Sequence, residues 1–226
     1  MVFLVLGAII CYIFFQPLYD FLAGPMLILM KQHPNWKFVF TSFHQPFFVV
    51  LKISIIAGFV LAAPFITWQL WLFIAPALTR EEKKPLKFVA PLSIFLFLAG
   101  VTIAYLLLRF AIHWFIGYVN YFPNAVLYQD PETYVLFVLK MLAAFGLVFQ
   151  LPVVLMFLAW VGIINSKGMV KYWRHSVVII SVVGAIVTPS NDAFTMLMMI
   201  LPVIGLYFAS ISLVKLVERV RKRPAA

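Results

Sequence analysis

Cysteine is almost missing from these 226 residues: Cys11 is the only one, and it sits inside an apolar run. A single thiol excludes a disulfide framework, a set of thiolate metal ligands and a paired redox motif, and it leaves the redox compartment undecided. Acids are nearly as scarce, seven against 17 Lys and Arg, and none lies near the middle of an apolar run. Intramembrane enzymes need a nucleophile with a base, or a metal cluster. Ser54, Ser93, Ser181 and Ser210 have no evident histidine or acid partner within their runs, so the chain does not read as an enzyme and no cofactor or metal is expected. No internal repeat is apparent, which weakens a transporter built from two inverted halves. What is abundant is apolar side chain: 65% of residues, with only 11% charged and a mean hydropathy of +1.08. A soluble domain of this size cannot bury that much, so most of the chain has lipid for its solvent.

In hydrocarbon every backbone N–H and C=O needs an internal partner, so long apolar runs read as helices. A barrel would show alternating segments of about ten residues, and these are absent. The expected fold is an all-α polytopic bundle forming a single integral membrane domain, residues 1–226, with six spans at about 1–22, 47–75, 88–108, 133–162, 172–187 and 193–214. The first run lacks a preceding basic stretch and a following cleavage site, and reads as a true span. A polar loop with turn residues is expected from Gly24-Pro25 through His33-Pro34-Asn35 to Gln45. The second span exceeds a core of about 30 Å and should tilt, protrude or kink at Pro64. Asp130-Pro131-Glu132 looks like a helix start, with an acid as N-cap and proline in the first helical position. Pro152 should break the fourth span locally. The fifth covers only 16 residues, about 24 Å, and is the short helix of the set; the sixth shares its tight turn, Thr188-Pro189-Ser190-Asn191-Asp192, and is the other candidate for a short one.

Orientation follows from the basic residues. Twelve of the 17 fall in the loops near 80 and 170 and in the tail 215–226, while Lys31, Lys37 and Arg109 are the three on the other side and Lys52 and Lys140 lie within spans. This bias places the basic side in the cytoplasm, with both termini inside. Topology and attraction to anionic lipid account for the +10 net charge, and nucleic acid is unnecessary.

Candidate site residues are few. Glu81 and Glu82 are two of only three cytoplasmic acids, and a carboxylate at a membrane surface can hold an incoming guanidinium through paired charge-assisted bonds. On composition alone the plainer reading is a solvated acid balancing Arg80 and Lys83. Trp68 and Trp71 suit an interfacial aromatic belt. Lys52 lies near the outer end of its span and can snorkel. Lys140 is similarly placed, or is a functional residue if buried against Gln150 or a partner. Asp192 is expected to cap the sixth helix. His113 and His175 read as interface packing before proton relay, and Met196, Met198 and Met199 as adaptable packing or a contact face for partner helices.

The run Pro64, Gln69, Trp71, Phe73, Pro76-Ala77-Leu78, Glu82-Lys83 resembles the signature of the TatC family, the signal-peptide-receptor subunit of the twin-arginine protein translocase. Further matching residues follow in order: Pro25; Pro46-Phe47-Phe48 with Lys52; Gly100 and Tyr105; Tyr134 with Phe137 to Lys140; Ala144-Phe145-Gly146, Phe149 and Pro152; and Thr188-Pro189 before Asp192. The resemblance implies an inner-membrane receptor and scaffold that binds the paired arginines of a folded cargo's signal peptide, recruits small single-span subunits of the TatA and TatB type, assembles as an oligomer and uses the proton-motive force. It implies that Glu82, with Glu81, contacts the signal arginines, that Phe73, Pro76 and Leu78 shape the adjoining surface, and that Pro25, Pro46, Phe47, Tyr134 and Asp192 serve structure or assembly. Relatives usually begin with an amphipathic segment carrying a further signal-binding acid; this sequence starts within its first apolar run, so either that segment is truncated here or recognition rests on Glu82 and, in part, Glu81. Many relatives also carry glutamate where Gln150 stands, and a neutral amide cannot change charge. The rival reading is a proton-coupled transporter of a small solute, which calls for charged groups near the midplane, where this sequence offers mainly Gln150 and Pro152.

Overall fold

The computed structural model describes residues 2–33, 35–74, 86–119, 121–122, 126–187 and 192–221. Nine helices and two very short strands occur among them: α1 (Val2–Ile13), α2 (Phe15–Gln32), β1 (Lys37–Phe38), α3 (Gln45–Ile74), α4 (Leu86–Val119), β2 (Tyr128–Gln129), α5 (Pro131–Val148), α6 (Leu151–Val161), α7 (Ser166–Lys171), α8 (Trp173–Val187) and α9 (Ala193–Arg221). They form two compact units, residues 1–63 with 102–143, and residues 64–101 with 144–226.

Among the described residues four stretches are long and apolar enough to cross a membrane: Gln45–Gln69, Pro91–Val119, Pro131–Val161 and Ala193–Arg219. The α1–α2 pair makes a fifth if it counts as one span despite an 80° bend, and α8 is a shorter apolar helix. Large apolar side chains face outward along these helices, among them Ile55, Phe65, Phe95, Leu106, Val178 and Ile186. Such continuous exposure would drive aggregation in water and is the ordinary condition in lipid.

In the first unit, the expected single span 1–22 is two helices. The bend falls at Phe14, and Pro17 explains it: proline has no N–H to give the carbonyl of residue 13, and its ring crowds that turn. The expected loop at Gly24-Pro25 is helical instead, and α2 runs through Pro25 to Gln32. Pro25 leaves the carbonyl of Phe21 without its helical donor. The hydroxyl of Tyr105 on α4 donates to that oxygen at 3.1 Å, and the Tyr105 ring stacks on Phe21 at 4.6 Å. A tertiary donor thus lets the helix pass through its proline. α1 lies against α3 where Gly7 meets Gly58, so close that a Cβ on either glycine would strike the other backbone. β1 and β2 form a parallel bridge, Lys37 beside Tyr128 and Phe38 beside Gln129, which an all-helical reading does not contain.

In the second unit, the fourth span is broken at Phe149–Gln150, two residues before Pro152. α6 closes on Gly162 in the left-handed conformation (φ 94°), with the N–H of Ile163 reaching back to the Leu158 carbonyl at 2.9 Å, the usual glycine helix stop. Ala159, Met169, Tyr207, Ile211, Val214 and Val217 then make a core joining α6, α7 and α9. α8 is 15 residues, about 22 Å and well short of a 30 Å core. α9 is 29 residues, so the helix continues through Lys215 to Arg221, where a separate basic tail was expected from 215.

Candidate functional site

The expected signal-binding residues fall, in the sequence, between the last turn of α3 and the start of α4. Glu81, Glu82, Pro76 and Leu78 lie outside the described residues. Phe73 falls in the last turn of α3, whose side chains there are likewise outside the description. What the structure describes is the frame. α3 reaches Ile74 and α4 resumes at Leu86, with Trp68 exposed near the end of α3 as an interfacial anchor would be.

Glu218 of α9 grips the start of α7. Its carboxylate accepts the N–H of Ser166 at 2.7 Å and the Ser166 hydroxyl at 2.6 Å. Asn165 caps the same turn by accepting the N–H of Gly168 at 2.6 Å, and the Tyr207 hydroxyl donates to the Met169 carbonyl at 3.0 Å. The Glu218 and Tyr207 bonds tie the segment after α6 to α9, and neither pairing was expected from sequence, because the partners are 52 and 38 residues apart.

Within the second unit's apolar interior, Gln150 is buried and paired with Ser93 of α4. The Ser93 hydroxyl donates to its side-chain oxygen at 2.5 Å, and its amide nitrogen donates to the Ser93 carbonyl at 3.0 Å. The amide therefore both accepts and donates, which an ionised carboxylate cannot do. Placed at the break between α5 and α6, it braces a point where the helical bond ladder is interrupted. The sequence marks Gln150 as polar in a span but gives no sign that Ser93 is its partner.

The first unit carries a second polar cluster where α3 and α5 begin. Lys52 forms an ion pair with Glu132 at 2.5 Å, so it is a partnered lysine and not simply a snorkelling one. Gln45 donates to Asp130 at 2.7 Å. Asp130 also accepts the N–H of Thr133 at 2.9 Å and the Thr133 hydroxyl at 2.5 Å, as an N-cap of α5. Partial burial pushes the Asp130 carboxyl up, yet the bonds from Thr133, the Glu132 N–H and Gln45 together hold it below its ordinary value. A carboxyl lowered by folding stabilises above its unfolded value of about 3.9, and the contribution is lost as pH falls through the lower folded value. Acid unfolding of the detergent-solubilised protein should therefore steepen below about pH 4, and Asp130→Asn should flatten that limb while lowering stability at neutral pH.

The remaining expected residues are placed as follows. Lys140 is exposed, about 14 Å along α5. Pro46 is the second residue of α3 and Phe47 beside it is exposed. Tyr134 is buried with its ring 5.9 Å from that of Phe38. Pro25 is the bridged proline of α2. Asp192 accepts the N–H of Thr195 at 2.6 Å at the start of α9. Among the described residues no group of three or more His, Cys, Asp and Glu is arranged to hold a metal.

These helices and their arrangement match known proteins over nearly the whole chain. Residues 1–202 match the family model described as Sec-independent protein translocase protein (TatC). The TatC protein of Magnetococcus marinus is 33% identical over 99% of this chain and 81% of its own length, and that of Aquifex aeolicus is 34% identical over 96% and 89%. A crystal structure of the twin-arginine translocase receptor TatC is similar in fold, with a TM-score of 0.82 at 33% identity, covering 94% of this chain and 92% of that one. The apolar helices make this a membrane protein, and the chain belongs to the TatC family of Sec-independent protein translocases.

Proposed function

We propose that this chain is the signal-peptide receptor and scaffold of a twin-arginine translocase, moving folded proteins across the cytoplasmic membrane at the expense of the proton-motive force. The observation that carries the reading is the match in fold to the twin-arginine translocase receptor along almost the full length of both chains. It is supported by the motif between Pro64 and Lys83, in which Trp68 and Trp71 are followed along the sequence by the two carboxylates Glu81 and Glu82. In this reading the protein crosses six times with both termini in the cytoplasm, α1 with α2 and the short α8 each counting as a crossing. Glu82, assisted by Glu81, accepts the signal arginines, while Phe73, Pro76 and Leu78 line the neighbouring surface. Small single-span subunits dock in the bilayer, copies of the chain associate, and the basic end of α9 with the residues beyond it lies against anionic lipid. Lys52, Lys140 and Gln150 are the polar groups within the spans, and Pro25, Pro46, Phe47, Tyr134 and Asp192 support structure and assembly.

Guanidinium pairs bind a carboxylate bidentately and ammonium does not. In nanodiscs, a twin-arginine signal peptide should bind more tightly than its twin-lysine counterpart, and Glu82→Ala should weaken the first by about ten- to a hundredfold while leaving the second little changed. Equal binding of the two peptides to the unmodified protein would overturn the reading.

A further inference from the structure

The last turns of α4 carry an aromatic bowl that none of the foregoing uses. Phe110, His113, Trp114, Gly117, Tyr118 and Tyr121 line an open cavity of about 440 Å³. Their spacing is that of one helix face. The Trp114 and Tyr118 rings meet at 66° with centroids 5.9 Å apart, and Tyr121 adds a third wall 6.2 Å from Tyr118. All three rings are exposed, Tyr121 by 79%. Gly117 is the floor. A Cβ there would meet nothing within 4 Å, so packing does not demand glycine, although glycine is a poorer helix former than alanine.

The depth of this bowl follows from length. α4 has 34 residues, about 51 Å, whereas about 20 residues cross a hydrocarbon core. The apolar stretch Pro91–Val119 is 29 residues, longer than a core needs, so one end protrudes; with Arg109, the charged residue inside it, at the boundary, a crossing that enters near Pro91 leaves near residue 110 and the bowl rises from there through the headgroup layer. Tyrosine and tryptophan prefer that layer, but a belt alone needs no concave arrangement with an open floor. Among the described residues the lining holds no Lys, Arg, Asp or Glu. Its π faces present negative potential, which is complementary to a desolvated ammonium and to nothing anionic. Arg109, exposed one turn before His113, stands on the membrane side of the bowl, at the level of a lipid phosphate.

We infer that this bowl binds the ammonium headgroup of a zwitterionic phospholipid, with Arg109 holding the phosphate of the same molecule. The inference depends on the membrane placement of α4 and not on how signal peptides are recognised.

The test is native mass spectrometry of the full chain released from membranes containing equal amounts of phosphatidylethanolamine, phosphatidylglycerol and N-acetyl-phosphatidylethanolamine with matched acyl chains. The last lipid keeps the phosphate and loses the cation. The unmodified protein should retain phosphatidylethanolamine over both others by about two- to thirtyfold, the range of a cation–π contact. Trp114→Ala with Tyr118→Ala should bring the three lipids to parity. So should Gly117→Leu, which fills the floor at a position with room for a side chain, with helix content checked by circular dichroism. Arg109→Gln should reduce all three adducts and leave their ratio unchanged. Absence of a preference in the unmodified protein, or one that survives both bowl variants, would overturn the proposal. Variants that change only the proportion of oligomer would assign the face to contact between copies, and the proposal would fail.

Discussion

Replacing Gly100 by valine is expected to destabilise the second unit by about 3 kcal/mol or more, the upper range for overpacking a tight interior. Gly100 on α4 faces the α5–α6 segment. A Cβ at this position would lie 2.8 Å from the carbonyl oxygen of Phe145 and 2.8 Å from Cγ of Phe149. One of these atoms is backbone, so relief requires the helices to separate. Separation would also pull apart the Ser93–Gln150 pair, whose groups have no water to turn to at that depth. Gly146 answers from the other helix, where a Cβ would press on the ring of buried Phe97. The measurement is the thermal midpoint in detergent, with Gly117→Ala as the comparison. That substitution lies on the same helix, meets no neighbour, and should raise stability by up to about 1 kcal/mol. If Gly100→Val melted with the unmodified protein, the close approach of α4 and α5 would be wrong.

Glu218→Ala is expected to cost about 2–4 kcal/mol, because two bonds to a charged acceptor are lost together and hydrogen bonds to charged groups contribute about 1.5–3 kcal/mol each without adding fully. The Ser166 side chain is buried, so its N–H and hydroxyl would be left without their acceptor. Glu218→Gln should fall between the two, since one amide oxygen accepts only part of what the carboxylate does and the amide nitrogen faces donors. The local consequence can be followed by hydrogen exchange: amides of Ser166 to Lys171 should lose protection in Glu218→Ala, while those of α2 do not. Unchanged protection in α7 would remove Glu218 from its anchoring role.

Both results depend on pairings that are long-range in the chain. That is where reading from sequence runs out. Apolar length and scarcity of charge identify the solvent as lipid and the backbone as helical, since no other open structure satisfies peptide groups in hydrocarbon. The brevity of α8, the cap at Asp192 and the family motif could be read the same way, for each is a property of consecutive residues. Pro25 shows the opposite case. Locally, Gly24-Pro25 reads as a turn, and only the hydroxyl of Tyr105 arriving from α4 makes helix the better answer. Pro17 bends the first apolar run into α1 and α2, a signal present in the sequence and outweighed there by a mostly apolar run of span length. Lys52 finds Glu132, Gln150 finds Ser93, and Ser166 finds Glu218 across 80, 57 and 52 residues. Sequence alone determined that this chain lives in a membrane and to which family its motifs point. Tertiary structure alone decided which few polar groups meet, because in an apolar medium each must find a partner and the fold, not the neighbouring residue, supplies it.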